Sequence, residues 1–142
     1  MAGHSDHDPI VVTHDGGLRF AAQVRSHRVV VDQPLHAGGQ DSAPMPVEML
    51  GVSLGTCIAL YVQQFCQLRG IPTEGMRVEV DQVSARHPSR VSEFAVRVVL
   101  PQSLPPAYGE MLERVVHSCP AHNTLEQGAA LHVVIETPAP VS

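Results

Sequence analysis

Residues 46–60 form an apolar run with helical spacing, and they read Pro46-Val-Glu-Met-Leu-Gly-Val-Ser-Leu-Gly-Thr-Cys-Ile-Ala-Leu. Pro44 and Pro46 suit the first turn of a helix, and Glu48 favours the positive end of its dipole. Gly70, followed by Pro72, is a strong stop signal. We therefore predict a long central helix with one apolar stripe. The predicted stripe comprises Leu50, Leu54, Cys57, Ile58, Tyr61, Phe65 and Leu68.

Strands are predicted on both sides of this helix. Their predicted bounds are residues 10–13, 18–24, 28–32, 76–85, 91–100 and 131–136. The first two strands flank a hairpin turn signal, and the fourth and fifth alternate in the manner of an antiparallel hairpin. Two shorter helices are predicted to begin at Pro105 and Pro120. The order βββ-α-ββ-α-α-β indicates an α+β fold in one domain, residues 10–142, after a mobile tail at residues 1–9.

The charge of the chain argues against a nucleic-acid or anionic-membrane partner. The chain has 142 residues and a net charge of −5, and its basic residues are nine arginines without a lysine. Polyanion-binding surfaces need a clustered positive footprint. The first residues lack the regions of a signal peptide, and no uninterrupted apolar stretch has the length of a membrane span. We expect a cytoplasmic protein, in which cysteines are more often free, catalytic or metal-bound than disulfide-bonded.

The three cysteines occupy different local settings. Cys57 lies on the apolar stripe, where a cysteine ordinarily serves as a small buried hydrophobe. Cys119, with Pro120 at the first helical position, occupies an N-cap, where free N–H groups and the dipole favour a thiolate. Cys66 falls on the opposite side of the helix from Cys57, and we expect it to be structural. Two thiols from distant parts of the chain suggest redox chemistry if the fold brings them together.

A metal site is the alternative use of the second motif. His117, Cys119 and His122 are close in sequence, but no C-x-x-C or H-E-x-x-H spacing exists and no fourth ligand can be named. The sequence also lacks the glycine-rich nucleotide motifs and the G-x-S-x-G motif. We therefore predict neither a metal nor an organic cofactor.

Read together, these residues resemble the OsmC/Ohr family of thiol-dependent hydroperoxide reductases. The matching features are the loop Gly-Gly-Gln-Asp-Ser-Ala-Pro-Met-Pro at 38–46, the Pro-x-Glu-x-Leu helix start, Cys57 eleven residues after Pro46, and Cys-Pro-x-His-Asn-Thr-Leu at 119–125. The order of elements also matches. The resemblance implies antiparallel sheets wrapped around the long central helix in an intertwined homodimer, with two active sites at the dimer interface.

The resemblance also implies the chemistry. Cys57 would be the peroxidatic thiol and Cys119 the resolving thiol of a cofactor-free peroxidase that acts on organic hydroperoxides in oxidative stress defence. A thiolate attacks the O–O bond, becomes a sulfenic acid and condenses with the second thiol. An external dithiol or thiol then reduces the disulfide by exchange.

Two departures from the family pattern point to its less-characterised branch. Well-established peroxidases of the family carry a Glu after the helix-start Pro, paired with an Arg that it orients over the thiolate. Here Val47 occupies the Glu position, and Glu48 follows roughly half a turn out of phase with Cys57. Residues 33–46 contain no Arg, although three earlier arginines could reach the site, if necessary from a partner chain. These possible supporting residues are Arg19, Arg25 and Arg28.

Two other functions remain open at this stage. One is a binding or redox-sensing module on the same scaffold, with a reactive thiol and little turnover. The other, weaker, is a different thiol reaction on a small electrophile or sulfur species. A guanidinium close to the Cys57 sulfur would favour the peroxidase, whereas a purely apolar lining would favour the binding module.

Overall fold

The computed structural model describes residues 8–140, so residues 1–7 of the predicted mobile tail lie outside the described residues. The strands are β1 (Val11–His14), β2 (Phe20–Val24), β3 (His27–Val31), β4 (Arg77–Ala85) and β5 (Arg90–Val99). The helices are α1 (Pro46–Leu68), α2 (Gly109–His117) and α3 (Pro120–Gln127), with 3₁₀ turns at Leu35–Ala37 and Pro106–Tyr108. The predicted α+β class is confirmed, and each element lies within a few residues of its predicted bounds, with one exception described below.

The first three strands form an antiparallel sheet in the order β1-β2-β3. Val12 pairs with Ala22, and Ala22 pairs with Val29, so β2 is the central strand. Gly16 and Gly17 make the β1–β2 turn at φ of 100° and 56°, a region that glycine enters without steric cost. Arg25 adopts φ 53° in the tight β2–β3 turn.

Strands β4 and β5 form a two-stranded hairpin that packs on the first half of α1. Gln82 donates a hydrogen bond from Nε2 to the Val47 carbonyl at 3.0 Å. Gly51 permits this approach, because a Cβ there would lie 2.6 Å from Gln82 Oε1. Arg97 and Glu79 form a salt bridge across the hairpin.

Helix α1 is 23 residues long and buries a continuous face. Its buried side chains are Leu54, Ile58, Val62, Phe65 and Cys66. The predicted stripe is correct in its centre and wrong at its ends, because Leu50 and Leu68 are exposed. Gly70 follows the helix at φ 65°, and Ile71 N–H bonds the Cys66 carbonyl, so the helix closes where the sequence predicts.

The last predicted strand, residues 131–136, is the exception. The structure has no strand there, and Leu131, Val133, Val134 and Ile135 are 82–88% exposed. The segment alternates enough to predict a strand, but a strand also needs a neighbour to satisfy its N–H and C=O groups. The described chain provides no such neighbour for this segment.

The chain divides into two compact units. The first contains the chain up to Gly55 together with Glu79–Arg97, and the second contains Thr56–Val78 and the chain from Val98 onward. The prediction of a single domain over residues 10–142 stays a prediction. Among residues 8–140, α1 alone is long and apolar enough to cross a membrane, by length and composition only. Core helices of soluble proteins meet the same criterion, so this is weak grounds for a membrane span.

Candidate functional site

Cys57 and Cys119 come together within the second unit. Their side chains are hydrogen-bonded to each other, and neither cysteine is in a disulfide. Cys57 lies in the middle of α1 and is half-buried, whereas Cys119 is fully buried at the start of α3. Two thiols separated by 61 intervening residues therefore share one small site, in which Cys57 is the more accessible of the pair.

The local sequence around Cys119 builds the second half of this site. Cys119 is the N-cap of α3, with φ −60° and ψ 127°, and Pro120 occupies the first helical position. The Cys119 carbonyl accepts the N–H of Asn123 at 3.0 Å, but its side chain makes no capping bond. Instead, the N–H of Ala121 in the first turn of α3 donates to the Cys57 sulfur. One N–H at the start of α3, that of Ala121, is thus bonded to the Cys57 sulfur.

Opposing influences act on the Cys57 thiol. Burial raises the pKa of Cys57, and the hydrogen bond to Cys119 raises the pKa further. The Ala121 N–H lowers the same pKa, because it stabilises the thiolate. The net pKa lies above the ordinary value. The described part of the second unit contains three arginines, Arg69, Arg77 and Arg114. None of them contributes to the shift of the Cys57 pKa.

The predicted supporting residues all lie in the first unit, where the structure shows local partners for three of them. Glu48 accepts the N–H of Met45 at 2.9 Å, which closes the start of α1 in the manner of a capping box. Arg19 and Arg28 form salt bridges with the same oxygen of Asp15, at 2.8 and 3.2 Å. Arg25 lies in the β2–β3 turn. Their support of Cys57 stays a prediction.

A buried carboxylate that the sequence reasoning missed organises the loop before α1. Asp32 is 1% exposed and accepts four hydrogen bonds. The donors are the N–H groups of Gln33, Gln40 and Ser42 and the Ser42 hydroxyl, the last at 2.6 Å. These bonds, led by the Ser42 hydroxyl, lower the pKa of Asp32 to about 2. The available signal was an acidic residue directly after the three valines that end β3.

The Ser42 hydroxyl connects this carboxylate to the arginines of the first sheet. It donates to Asp32 and accepts a hydrogen bond from Arg19 Nη1 at 2.8 Å. Arg19 in turn bonds Asp15, which also pairs with Arg28. This chain of contacts holds the loop that leads into α1, and it gives Ser42 a structural role.

The structure also describes Cys66, His117 and His122, the other candidate residues of the sequence analysis. Cys66 is fully buried, and burial raises the pKa of its thiol, with Arg69 lowering it in part. The rings of His117 and His122 meet edge to face at 5.0 Å, and His122 Nε2 lies 3.0 Å from Glu126 Oε2. Over residues 8–140, no group of three or more His, Cys, Asp or Glu side chains is arranged to hold a metal ion.

The matching family model describes OsmC-like proteins and covers residues 39–134, which include both cysteines of the site. The chain belongs to the OsmC-like protein family. Its resemblance to the OsmC/Ohr group, inferred from motifs, is confirmed at the level of the family. No curated protein sequence matches this OsmC-like chain.

Solved structures share the fold of this OsmC-like protein. A protein from Psychrobacter arcticus, provisionally described as an osmotic stress induced and detoxification response protein, is 25% identical, with a TM-score of 0.75 over 87% of this chain and 90% of that one. An OsmC-like protein of unknown function from Vibrio cholerae is 14% identical, with a TM-score of 0.70 over 87% and 95%. An organic hydroperoxide resistance protein from Legionella pneumophila is 18% identical, with a TM-score of 0.53 over 83% and 89%.

Proposed function

We propose that this OsmC-like protein is a cofactor-free thiol peroxidase that reduces organic hydroperoxides through Cys57 and Cys119. The observation that carries the proposal is the double hydrogen bonding of the Cys57 sulfur, to the Cys119 side chain and to the Ala121 N–H. Membership of the family supports it. The description of the Legionella pneumophila structure as an organic hydroperoxide resistance protein is in keeping with it.

The proposed cycle has three balanced steps. The Cys57 thiolate attacks the outer oxygen of the hydroperoxide, the O–O bond breaks, and the alkoxide takes a proton to leave as the alcohol. The Cys119 sulfur then displaces the hydroxyl of the Cys57 sulfenic acid, which releases water and forms the disulfide. An external dithiol reduces the disulfide by two exchanges. A cytoplasmic location, where thiols are kept reduced, suits this cycle.

The different burial of the two cysteines supports the order of their roles. Cys57 is partly accessible, so a hydroperoxide can reach it, whereas Cys119 is fully buried. Because the two side chains are already in hydrogen-bond contact, the sulfenic acid at Cys57 forms next to its resolving thiol. Rapid closure of the disulfide protects a sulfenic acid from further oxidation.

Three single substitutions test the proposal with cumene hydroperoxide, in single-turnover reactions without added thiol. We expect Cys57→Ser to consume no peroxide, and Cys119→Ser to consume about one equivalent and to leave Cys57 as a sulfenic or over-oxidised acid where the wild type forms a disulfide. Cys66→Ser is the matched control, since a spacing of nine residues places Cys66 on the opposite side of α1 from Cys57, and it should consume peroxide like the wild type. Peroxide consumption by Cys57→Ser at the wild-type single-turnover rate would identify a different nucleophile.

The second candidate, a binding or redox-sensing module, is favoured by one observation, the raised pKa of the Cys57 thiol. A sensor reacts stoichiometrically and keeps its disulfide, whereas a peroxidase is reduced and reacts again. The ratio of peroxide consumed to protein present, measured with excess dithiol, separates them. A ratio that stops at one in the wild type would favour the module and contradict the peroxidase.

A further inference from the structure

An open cavity at the protein surface lies between the end of α1 and α2 in the second unit. Its volume is about 250 Å³. The lining residues are Phe65, Arg69, Met111, Arg114, Val115 and Ser118. Neither Cys57 nor Cys119 is among them, so the cavity, hereafter the Arg69/Arg114 cavity, is separate from the proposed active site. Three of its six residues are apolar and two are guanidinium side chains.

The Arg69 guanidinium is held in a fixed position in this cavity. Its Cζ lies 3.8 Å from the centroid of the Phe65 ring and 5.6 Å from that of Tyr108. Its Nη1 donates to the Phe65 carbonyl at 3.1 Å. The rings of Phe65 and Tyr108 meet edge to face, so Tyr108 supports the Phe65 ring on which the guanidinium lies. Guanidinium carries five N–H donors, so most of them stay available to a ligand.

Arg114 supplies a second positive charge from the last turn of α2. Within residues 8–140, neither Arg69 nor Arg114 forms an ion pair with a carboxylate, although the whole chain carries a net charge of −5. Arg19, Arg28 and Arg97, by comparison, are each paired with Asp or Glu. Two unpaired guanidiniums that line one cavity provide the charge that an anion needs.

We propose that the Arg69/Arg114 cavity binds a small organic carboxylate with an apolar body. A planar guanidinium matches a carboxylate through two parallel N–H···O bonds. The apolar walls, Phe65, Met111 and Val115, cover a hydrocarbon portion. Its volume of about 250 Å³ lies below the roughly 300–1,000 Å³ of drug-sized pockets, so a short chain or a single ring is the size of ligand that suits it.

Calorimetric titration of the full chain with octanoate tests this proposal. 1-Octanol, which has the same apolar body without the charge, and inorganic phosphate, which has charge without the body, are the matched ligands. Arg114→Gln is the informative variant, because its side chain is exposed and its loss should leave the fold intact. Arg86→Gln, an exposed arginine of the β4–β5 turn, removes the same charge elsewhere.

We expect saturable 1:1 binding of octanoate, at least about tenfold weaker in Arg114→Gln, since a charge-assisted hydrogen bond is lost. Arg86→Gln should bind like the wild type, and 1-octanol and phosphate should bind more weakly than octanoate. Peroxide consumption by Arg114→Gln should be unchanged in the absence of octanoate. Absence of saturable binding, equal affinity in Arg114→Gln, or phosphate binding as tightly as octanoate would overturn the proposal.

Discussion

At the scale of single residues, the Cys57 thiol has a raised pKa and one hydrogen-bond donor, the Ala121 N–H, that stabilises its thiolate. A backbone N–H carries only a partial positive charge, whereas a guanidinium carries a full one and lowers a neighbouring thiol pKa more strongly. With Val47 where the family's peroxidases carry Glu, the thiolate population depends on Ala121 and on any arginine that approaches from elsewhere. We therefore expect a slow peroxidase relative to family members that carry the Glu–Arg pair.

The first prediction concerns the pKa of Cys57, measured by alkylation in a Cys66→Ser, Cys119→Ser background. Burial, the largest cause of the raised pKa, persists in this variant. The alkylation rate should therefore keep rising above the ordinary thiol pKa of about 8.5, because the thiolate is the reacting form. A midpoint well below that value would reveal a positive charge beside Cys57, with Arg19, Arg25 and Arg28 as the first candidates.

The second prediction concerns Asp32. Its pKa of about 2 lies below the ordinary value of 3.8, so its stabilisation is present above about pH 4 and is lost as the pH falls toward about 2. Asp32→Asn should unfold several degrees lower at neutral pH, because it disturbs four hydrogen bonds. Thermal unfolding measures this, and the difference from the wild type should shrink in acid. Asp41→Asn, an exposed neighbour, is the control. An Asp32→Asn deficit that stays constant down to about pH 2 would contradict the assignment.

The sequence analysis singles out Cys57 and Cys119, which the structure brings together, but it does not single out Asp32. The cysteines stand out because only three occur and two lie in recognisable local settings. Asp32 is one of fourteen acidic residues, and its importance arises from a loop that folds back over it, which no local pattern encodes. The sequence likewise does not reveal that Asp15 pairs with Arg19 and Arg28, since Asp15 belongs to the hairpin turn signal.

At the scale of elements, backbone hydrogen bonds hold the loop before α1 in a compact conformation. Gly39 N–H bonds the Pro34 carbonyl, and Asp41 N–H bonds the Gln33 carbonyl. A Cβ at Gly39 would lie 1.9 Å from the Gln33 oxygen, far inside van der Waals contact. Gly38, with φ 91°, ends the 3₁₀ turn beside it. The loop therefore depends on the absence of a side chain at residue 39.

The third prediction follows from this collision. Gly39→Ala should destabilise the fold by about 1–3 kcal/mol, because the new methyl meets backbone and not a flexible side chain. Gly109→Ala is the matched control, because Gly109 begins α2 at φ −58° and, apart from its chain neighbours and its own helix backbone, nothing lies within 4 Å of its Cβ position. Alanine there should be neutral or stabilising by about 0.4–1 kcal/mol. Chemical denaturation compares the two variants. Equal stability of Gly39→Ala and the wild type would show that the loop opens easily.

Elements whose signals are local are the ones that the sequence predicts. Glycine and proline mark the ends of α1, and Pro120 marks the start of α3, so these helices lie where expected. Burial along α1 was less predictable, because it depends on what covers each turn, and Leu68 at its end is exposed. The strand expected at 131–136 is absent from the single chain for the same kind of reason: strand formation needs a partner that local sequence does not supply.

At the scale of the whole molecule, the single chain leaves two apolar segments exposed. The side chains of Ile10, Val11 and Val12, at and just before β1, are each more than half exposed, and the run from Leu131 to Ile135 is almost fully exposed. Strand β1 is also an edge of its sheet. Contiguous exposed apolar surface of this kind marks interaction sites, and unpaired strand edges invite pairing with another chain.

The last prediction is therefore that the protein is a homodimer in which residues 131–135 are covered by the second copy. Light scattering at micromolar concentration should give twice the chain mass of 15.3 kDa. An intertwined interface commonly buries more than roughly 2,000 Å², enough to cover such segments. Hydrogen exchange should show protected amides at 131–135, because pairing with a strand of the partner satisfies their N–H groups.

Substitution within the exposed run separates its role from a general effect of charge. Val133→Asp places a carboxylate in the proposed interface and should shift the protein toward monomer, since burying an unpaired charge is costly. Ala129→Asp adds the same charge to an exposed residue just before the run and should remain dimeric. A monomeric wild type, or a dimer whose amides at 131–135 exchange freely, would mean that this apolar segment serves something other than a second copy of the chain.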